Sequence, residues 1–160
     1  MRILGVDPAL TITGYGVIEL IKNKPYVIEA GIVSTDANQA IPQRLDKIYQ
    51  SILAIIKELK PQVMVLEKLY AHYRHPATAF SLGQARGVIC LACAKGKIPL
   101  AEYAATRVKK AVLGSGSASK SQVQKMVANM LNLKNLPKYT DVTDALALAI
   151  THSYIMRAKL

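Results

Sequence analysis

The tightest constraint on the fold is a change of hydrophobic period near residue 40. Before it, RILGVD (2–7), TGYGVIEL (13–20) and YVIEAGIVST (26–35) are short runs of strand formers separated by turn signals in PALTI and NKP. That spacing suits an antiparallel meander. After it, IPQRLDKIYQSILAIIKEL (41–59) sets apolar side chains at 41, 45, 48, 52, 55, 56 and 59, a helical period that Lys60-Pro61 stops. Strands and helices then alternate. QVMVLE (62–67) reads as a buried strand, 77–95 as a helix, IPLAEY (98–103) as a strand, and 105–113, 119–131 and 141–157 as helices. The order βββ-α-β-α-β-α, with extra helix at the end, predicts an α/β fold: a mixed five-stranded sheet flanked by helices, in a single domain spanning residues 1–160.

Charge narrows the function. The chain carries 21 Lys+Arg against 10 Asp+Glu, a net charge of +11, and the excess is uneven. Between Lys95 and Lys138 there are nine basic residues and one acid, Glu102. A merely solvated surface would intersperse acids, so this stretch is the footprint of a polyanion, with nucleic acid as the expected partner. With 51% hydrophobic residues the composition is that of a globular protein, not a disordered one.

The N-terminal apolar run is too short for a secretory signal, and Gln84 and Arg86 interrupt the most apolar stretch, ATAFSLGQARGVICLACA (77–94), against a membrane span. A cytoplasmic location is expected. The same stretch is apolar or small nearly all round and contains Gly83 and Gly87, a spacing that admits another backbone. One side can face the sheet and the other a second subunit, so a homodimer is expected. Cys90 and Cys93 lie one helical turn apart within it. They could be a redox pair, or half of a zinc site completed by His72 and His75, but small apolar cysteines in a core are the commoner use.

In a chain this short of acids, KYTDVTDALALAITH (138–152) places Asp141 and Asp144 on one helix face at the start of an apolar helix. One carboxylate there would cap the helix; a second at i+3 repels the first unless a cation lies beside them. Asp7 ends the first strand and Glu67 the fourth. Each has a bland reading, as a turn former before Pro8 and as a polar strand end. Strand ends of a mixed sheet gather at one edge, however, so the four acids can converge. Four carboxylates supply the oxygen ligands that hard divalent ions such as Mg²⁺ take, with Mn²⁺ as a substitute. The matching chemistry is phosphodiester hydrolysis by two metals about 3.5–4 Å apart, beside a basic groove that holds the substrate.

Five segments carry a resemblance: GVDPALTITGYGVIE (5–19), VLEKLY (65–70), LGQARG (82–87), EYAATRVKKAVLGSGSASKSQVQ (102–124) and TDVTDALALAITH (140–152). In order and spacing they are similar to the RuvC family of Holliday junction resolvases, over nearly the whole chain. The resemblance implies a ribonuclease-H-like fold, a homodimer, Mg²⁺-dependent symmetrical nicking of four-way DNA junctions in recombination and repair, and partnership with a branch-migration motor of the RuvA-RuvB type. It makes Asp7, Glu67, Asp141 and Asp144 the catalytic and metal-binding carboxylates, and Lys109 and Lys120 the basic residues at the cleaved strand. Where the family often has a Phe three residues after the strand-end glutamate, this chain has Tyr70. The loop that follows mixes Tyr70 and Tyr73 with His72, Arg74 and His75, stacking surfaces beside cations that suit unstacked junction bases, with Tyr70 and Arg74 as the expected DNA contacts.

Three other readings compete. Gly114–Ser121 misses the phosphate-loop pattern only at Ser119, but such a loop follows a strand and this one follows a predicted helix; Ser117 or Ser119 as a helix N-cap is the plainer reading. GVDPALTITGYG is also similar to the first phosphate hairpin of actin-like kinases, which need two such domains. A non-catalytic junction or RNA binder is the most serious rival, since basic charge alone supports it and only the carboxylates separate it from a nuclease.

Overall fold

The computed structural model describes residues 1–69 and 76–157. Strands β1 (Arg2–Asp7), β2 (Ile12–Ile21) and β3 (Lys24–Ser34) form the meander, followed by α1 (Ile41–Leu59), β4 (Val63–Glu67), α2 (Pro76–Lys95), β5 (Leu100–Tyr103), α3 (Ala105–Leu113), α4 (Lys120–Met130) and α5 (Thr140–Arg157). The five strands make one mixed sheet in the order β3-β2-β1-β4-β5. β1 is antiparallel to β2 and parallel to β4, and β4 is parallel to β5.

Alternation along β1 sends Ile3 to one face of the sheet and Leu4 and Val6 to the other. Ile3, Ile18 and Val65 meet α3, α4 and α5 in one core; Leu4, Val6, Met64 and Leu66 meet α1 and α2 in the second. α5 is buried almost continuously from Val142 to Ser153, because the sheet covers one side and α3 and α4 the other. Its polar residues are satisfied locally: Thr151 donates to the Ala147 carbonyl at 2.8 Å and Ser153 to that of Ile150 at 2.7 Å. Fully buried side chains such as Ile3 and Ile150 each stabilise the fold by about 1.5–3 kcal/mol.

The boundaries differ from the periodicity in instructive places. The strand expected over 98–103 starts only at Leu100, because the Ile98 amide closes the end of α2 on the Cys93 carbonyl at 3.3 Å. Lys22 and Asn23 both take positive φ, giving the tight β2–β3 turn, and the left-handed Lys60 closes α1. Ser119 caps α4 in a capping box with Gln122, and Gly114 closes α3 in a left-handed conformation. The phosphate-loop look-alike therefore joins two helices.

α2 is long and apolar enough by length and composition to cross a membrane. Ala85, Ile89 and Ala92 nevertheless line the core, and Cys93 is buried with its Sγ 3.1 Å from the Ile98 carbonyl. Burial raises the pKa of both Cys90 and Cys93, which suits core packing and disfavours thiolate chemistry. The zinc alternative with His72 and His75 falls outside the described residues. On the opposite side of α2, Phe80 is 75% and Leu91 47% exposed. Among the described residues, the helix's own backbone aside, nothing lies within 4 Å of where a Cβ would stand on Gly83 or Gly87.

Candidate active site

β1 and β4 run side by side in the same direction, with Ile3 opposite Val63 and Gly5 opposite Val65, so Asp7 and Glu67 emerge at the same edge of the sheet. α5 reaches that edge because two glycines let its backbone lie directly on the strands. A Cβ on Gly5 would stand 1.9 Å from the Ala145 carbonyl oxygen, and one on Gly14 would stand 2.2 Å from that of Asp141. Gly14 is the register partner of Asp7. The close approach that requires glycine thus brings the first two turns of α5, with Asp141 and Asp144, beside Asp7.

Asp7, Glu67 and Asp144 line a single pocket of about 240 Å³ together with Lys109 and Lys120. Asp141 does not line it, but its charge acts on Asp7. The pKa of Asp7 is pushed up to about 7, first by burial, then by the negative charges of Asp144, Asp141 and Glu67, while Lys120 pulls it down. Glu67 lies at the open end of the strand; partial desolvation and then Asp144 raise its pKa, against Lys120, Arg86 and Lys109. Lys120 Nζ is 2.6 Å from Asp144 Oδ2, and that hydrogen bond is the main reason the pKa of Lys120 is raised. Thr143 donates to the Thr140 carbonyl at 2.8 Å, so this hydroxyl does not cap the helix start.

Four carboxylates repelling one another at a strand end are costly unless a cation joins them. All the donors are carboxylate oxygens, which suits a hard divalent ion and not zinc or copper. Among the described residues no three such side chains already surround one point, and Lys120 forms an ion pair with one of them, Asp144.

One contributor was not legible as such in the sequence. Arg86, read there only as a polar interruption of an apolar helix, donates to the Glu67 carbonyl at 2.8 Å and pairs with Glu102. It ties α2 to the ends of β4 and β5 and so steadies the strand end that carries Glu67. Its clue was an arginine in an otherwise small and apolar helix, matched to the lone acid of the basic stretch. Tyr70 and Arg74, expected at the DNA, lie outside the described residues.

A family model described as crossover junction endodeoxyribonuclease RuvC matches residues 3–152. The chain belongs to the RuvC family. RuvC of Desulforamulus reducens is 45% identical over 153 residues, which cover 96% of this chain and 93% of the relative. RuvC of Geobacter sulfurreducens is 41% identical over 162 residues, covering 100% and 98%. The structure of T. thermophilus RuvC in complex with a Holliday junction superposes with a TM-score of 0.93 at 29% identity, covering 99% of this chain and 96% of that one. The yeast mitochondrial Holliday junction resolvase shares the fold, with a TM-score of 0.66 at 12% identity. The fold is thus the ribonuclease-H-like α/β fold expected from the sequence.

Proposed function

We propose that the chain is a structure-specific endodeoxyribonuclease that resolves four-way DNA junctions by hydrolysing phosphodiester bonds. The observation that carries this reading is the convergence of Asp7, Glu67 and Asp144 with Lys109 and Lys120 in one pocket of a RuvC-family fold. A junction binder without catalysis has no use for acids at the very place where they repel its ligand, which disfavours the non-catalytic alternative.

Asp7, Glu67, Asp141 and Asp144 would hold Mg²⁺, or Mn²⁺ in its place, two ions per site. Bound there, the metal lowers the pKa of water and neutralises charge on the phosphate. Asp7, whose pKa is pushed up to about 7, would bind the ion in competition with a proton. Lys109 and Lys120 offset negative charge that grows on the phosphoryl oxygens in the transition state. Lys120, paired with Asp144 but largely exposed, would offer its charge to the substrate phosphate. Tyr70 stacks on a base at the crossover and Arg74 contacts its backbone.

Symmetrical nicking needs two such sites. The exposed face of α2, with Phe80, Leu91 and the open Gly83 and Gly87, is where two copies join. The active unit is a homodimer of single-domain subunits acting in the cytoplasm, and its partnership with a RuvA-RuvB type motor follows from the family. The deciding experiment is cleavage of a synthetic four-way junction with Mg²⁺ beside a linear duplex of the same sequence. Paired nicks in the junction alone are expected; binding without nicks would favour the non-catalytic reading.

A further inference from the structure

Arg44, on the inner face of α1, is 7% exposed, yet among the described residues no carboxylate pairs with it. Its Nε donates to Thr35 Oγ1 at 2.9 Å, and one terminal nitrogen donates to the Leu10 carbonyl at 3.3 Å and Thr11 Oγ1 at 3.1 Å. All three partners are neutral. The other terminal nitrogen makes no hydrogen bond among the described residues. Among the described residues no buried side-chain nitrogen lacks a partner, so this one meets solvent.

A buried positive charge is costly to desolvate and is usually paired. Arg44 instead lines an open pocket of about 520 Å³ between the loop Pro8–Thr11 and the first turns of α2. Among the described residues the other polar side chains there are hydroxyls, those of Thr11, Thr78 and Ser81, and no acid lines it. The pocket begins at Pro8, the residue after Asp7, so it adjoins the carboxylate edge of the sheet. Arginine and hydroxyl groups around a cavity are the donors that nucleic-acid phosphates take.

We propose that this pocket is a binding subsite for a backbone phosphate of the DNA strand that runs past Asp7, with Arg44 supplying the charge. The inference rests on the nuclease reading above and adds to it a contact on the α1–α2 side of the sheet, the side opposite Lys109 and Lys120. The bland reading is that Arg44 only clips the loop behind Asp7 to α1. Its three hydrogen bonds serve that purpose, and a neutral donor would serve it without the cost of a buried charge.

The test is junction binding by the full chain across a salt series, without divalent ion so that nothing is cut. Arg44→Gln removes the charge. Thr78→Glu adds a negative charge at the exposed rim and leaves every Arg44 bond in place; an acid also suits the first turn of α2, so the fold is kept. Gln50→Glu, on the exposed face of α1, controls for net charge. Arg44→Gln and Thr78→Glu are each expected to weaken binding about tenfold and to lower the salt slope by about one ion, with Gln50→Glu close to the parent. Neutral methylphosphonates placed singly around the crossover should weaken the parent at one position and leave Arg44→Gln unaffected there.

Should Arg44→Gln not fold, Thr78→Glu against Gln50→Glu decides. Parent-like affinity and slope in the folded variants would overturn the subsite and leave Arg44 as a clip. A parent that binds four-way junctions no better than linear duplex would overturn the nuclease reading, and the subsite with it.

Discussion

Lys120 Nζ lies 2.6 Å from Asp144 Oδ2, an ion pair that joins the first residue of α4 to the second turn of α5 across the candidate active site. The lysine pairs with one carboxylate of the cluster, and its side chain is 61% exposed, within reach of a bound phosphate.

Lys120→Met should therefore slow single-turnover junction cleavage by roughly 10²-fold or more, the usual effect of removing one group that stabilises transition-state charge. Lys109→Met should weaken junction binding with a salt slope lower by about one ion. Rapid-quench cleavage and a salt titration measure the two separately; unimpaired cleavage by Lys120→Met would remove that lysine from the chemistry.

Asp7→Asn, Glu67→Gln, Asp141→Asn and Asp144→Asn should each abolish cleavage while junction affinity holds or rises, since each deletes a proposed metal ligand and a charge that repels DNA. Isothermal titration with Mg²⁺ or Mn²⁺ should show weakened ion binding in the same variants. Full turnover in any two would place the metal elsewhere.

The raised pKa of Asp7 makes stability depend on pH. The carboxyl ionises at an ordinary 3.8 when unfolded and at about 7 in the folded protein, so the folded state binds the extra proton between these values. That contribution is complete below about pH 4 and is lost as pH rises to about 7. Without divalent ions the melting temperature should carry this downward component, and Asp7→Asn should remove it and melt above the parent at pH 8. Added Mg²⁺ should raise the parent's melting temperature more at pH 8 than at pH 5. Thermal melts across pH with and without the ion check all three statements.

Gly14→Ala places a methyl group against the Asp141 backbone, which cannot swing aside as a flexible side chain can. The helix must shift, at a cost of about 1–3 kcal/mol or more. Because the shift displaces Asp141 and Asp144, cleavage should fall by more than lost stability alone accounts for. Activity measured well below the melting temperature separates the effects; a fully active, destabilised variant would mean that α5 need not seat so closely.

Phe80→Glu with Leu91→Glu should give a monomer that stays folded, since neither side chain serves this subunit's core. Sedimentation velocity checks the oligomeric state. Paired nicking of one junction should be lost along with the dimer.

Periodicity and turn chemistry made most of the elements legible: α1 spans the residues that its apolar spacing marks, and Ser119 caps α4 as its side chain suggests. These are local properties of the chain, readable without knowing what packs where. The four acids could also be singled out, because carboxylates are scarce here and three of them fall at ends of regular elements while the fourth, Asp144, follows Asp141 at i+3. What neighbours each acid was decided only by the tertiary structure. Gly5 and Gly14 look like ordinary strand glycines until α5 lies across them, and the ion pair of Lys120 with Asp144 links residues whose separation in sequence carries no signal. Arg44 and Arg86 were the least visible. Their positions follow the helical period like those of any side chain, but what an arginine does depends on the groups that distant segments bring to it, the Leu10 and Glu67 carbonyls here, and a hydrophobic pattern specifies which face is buried without specifying which polar atoms will meet there.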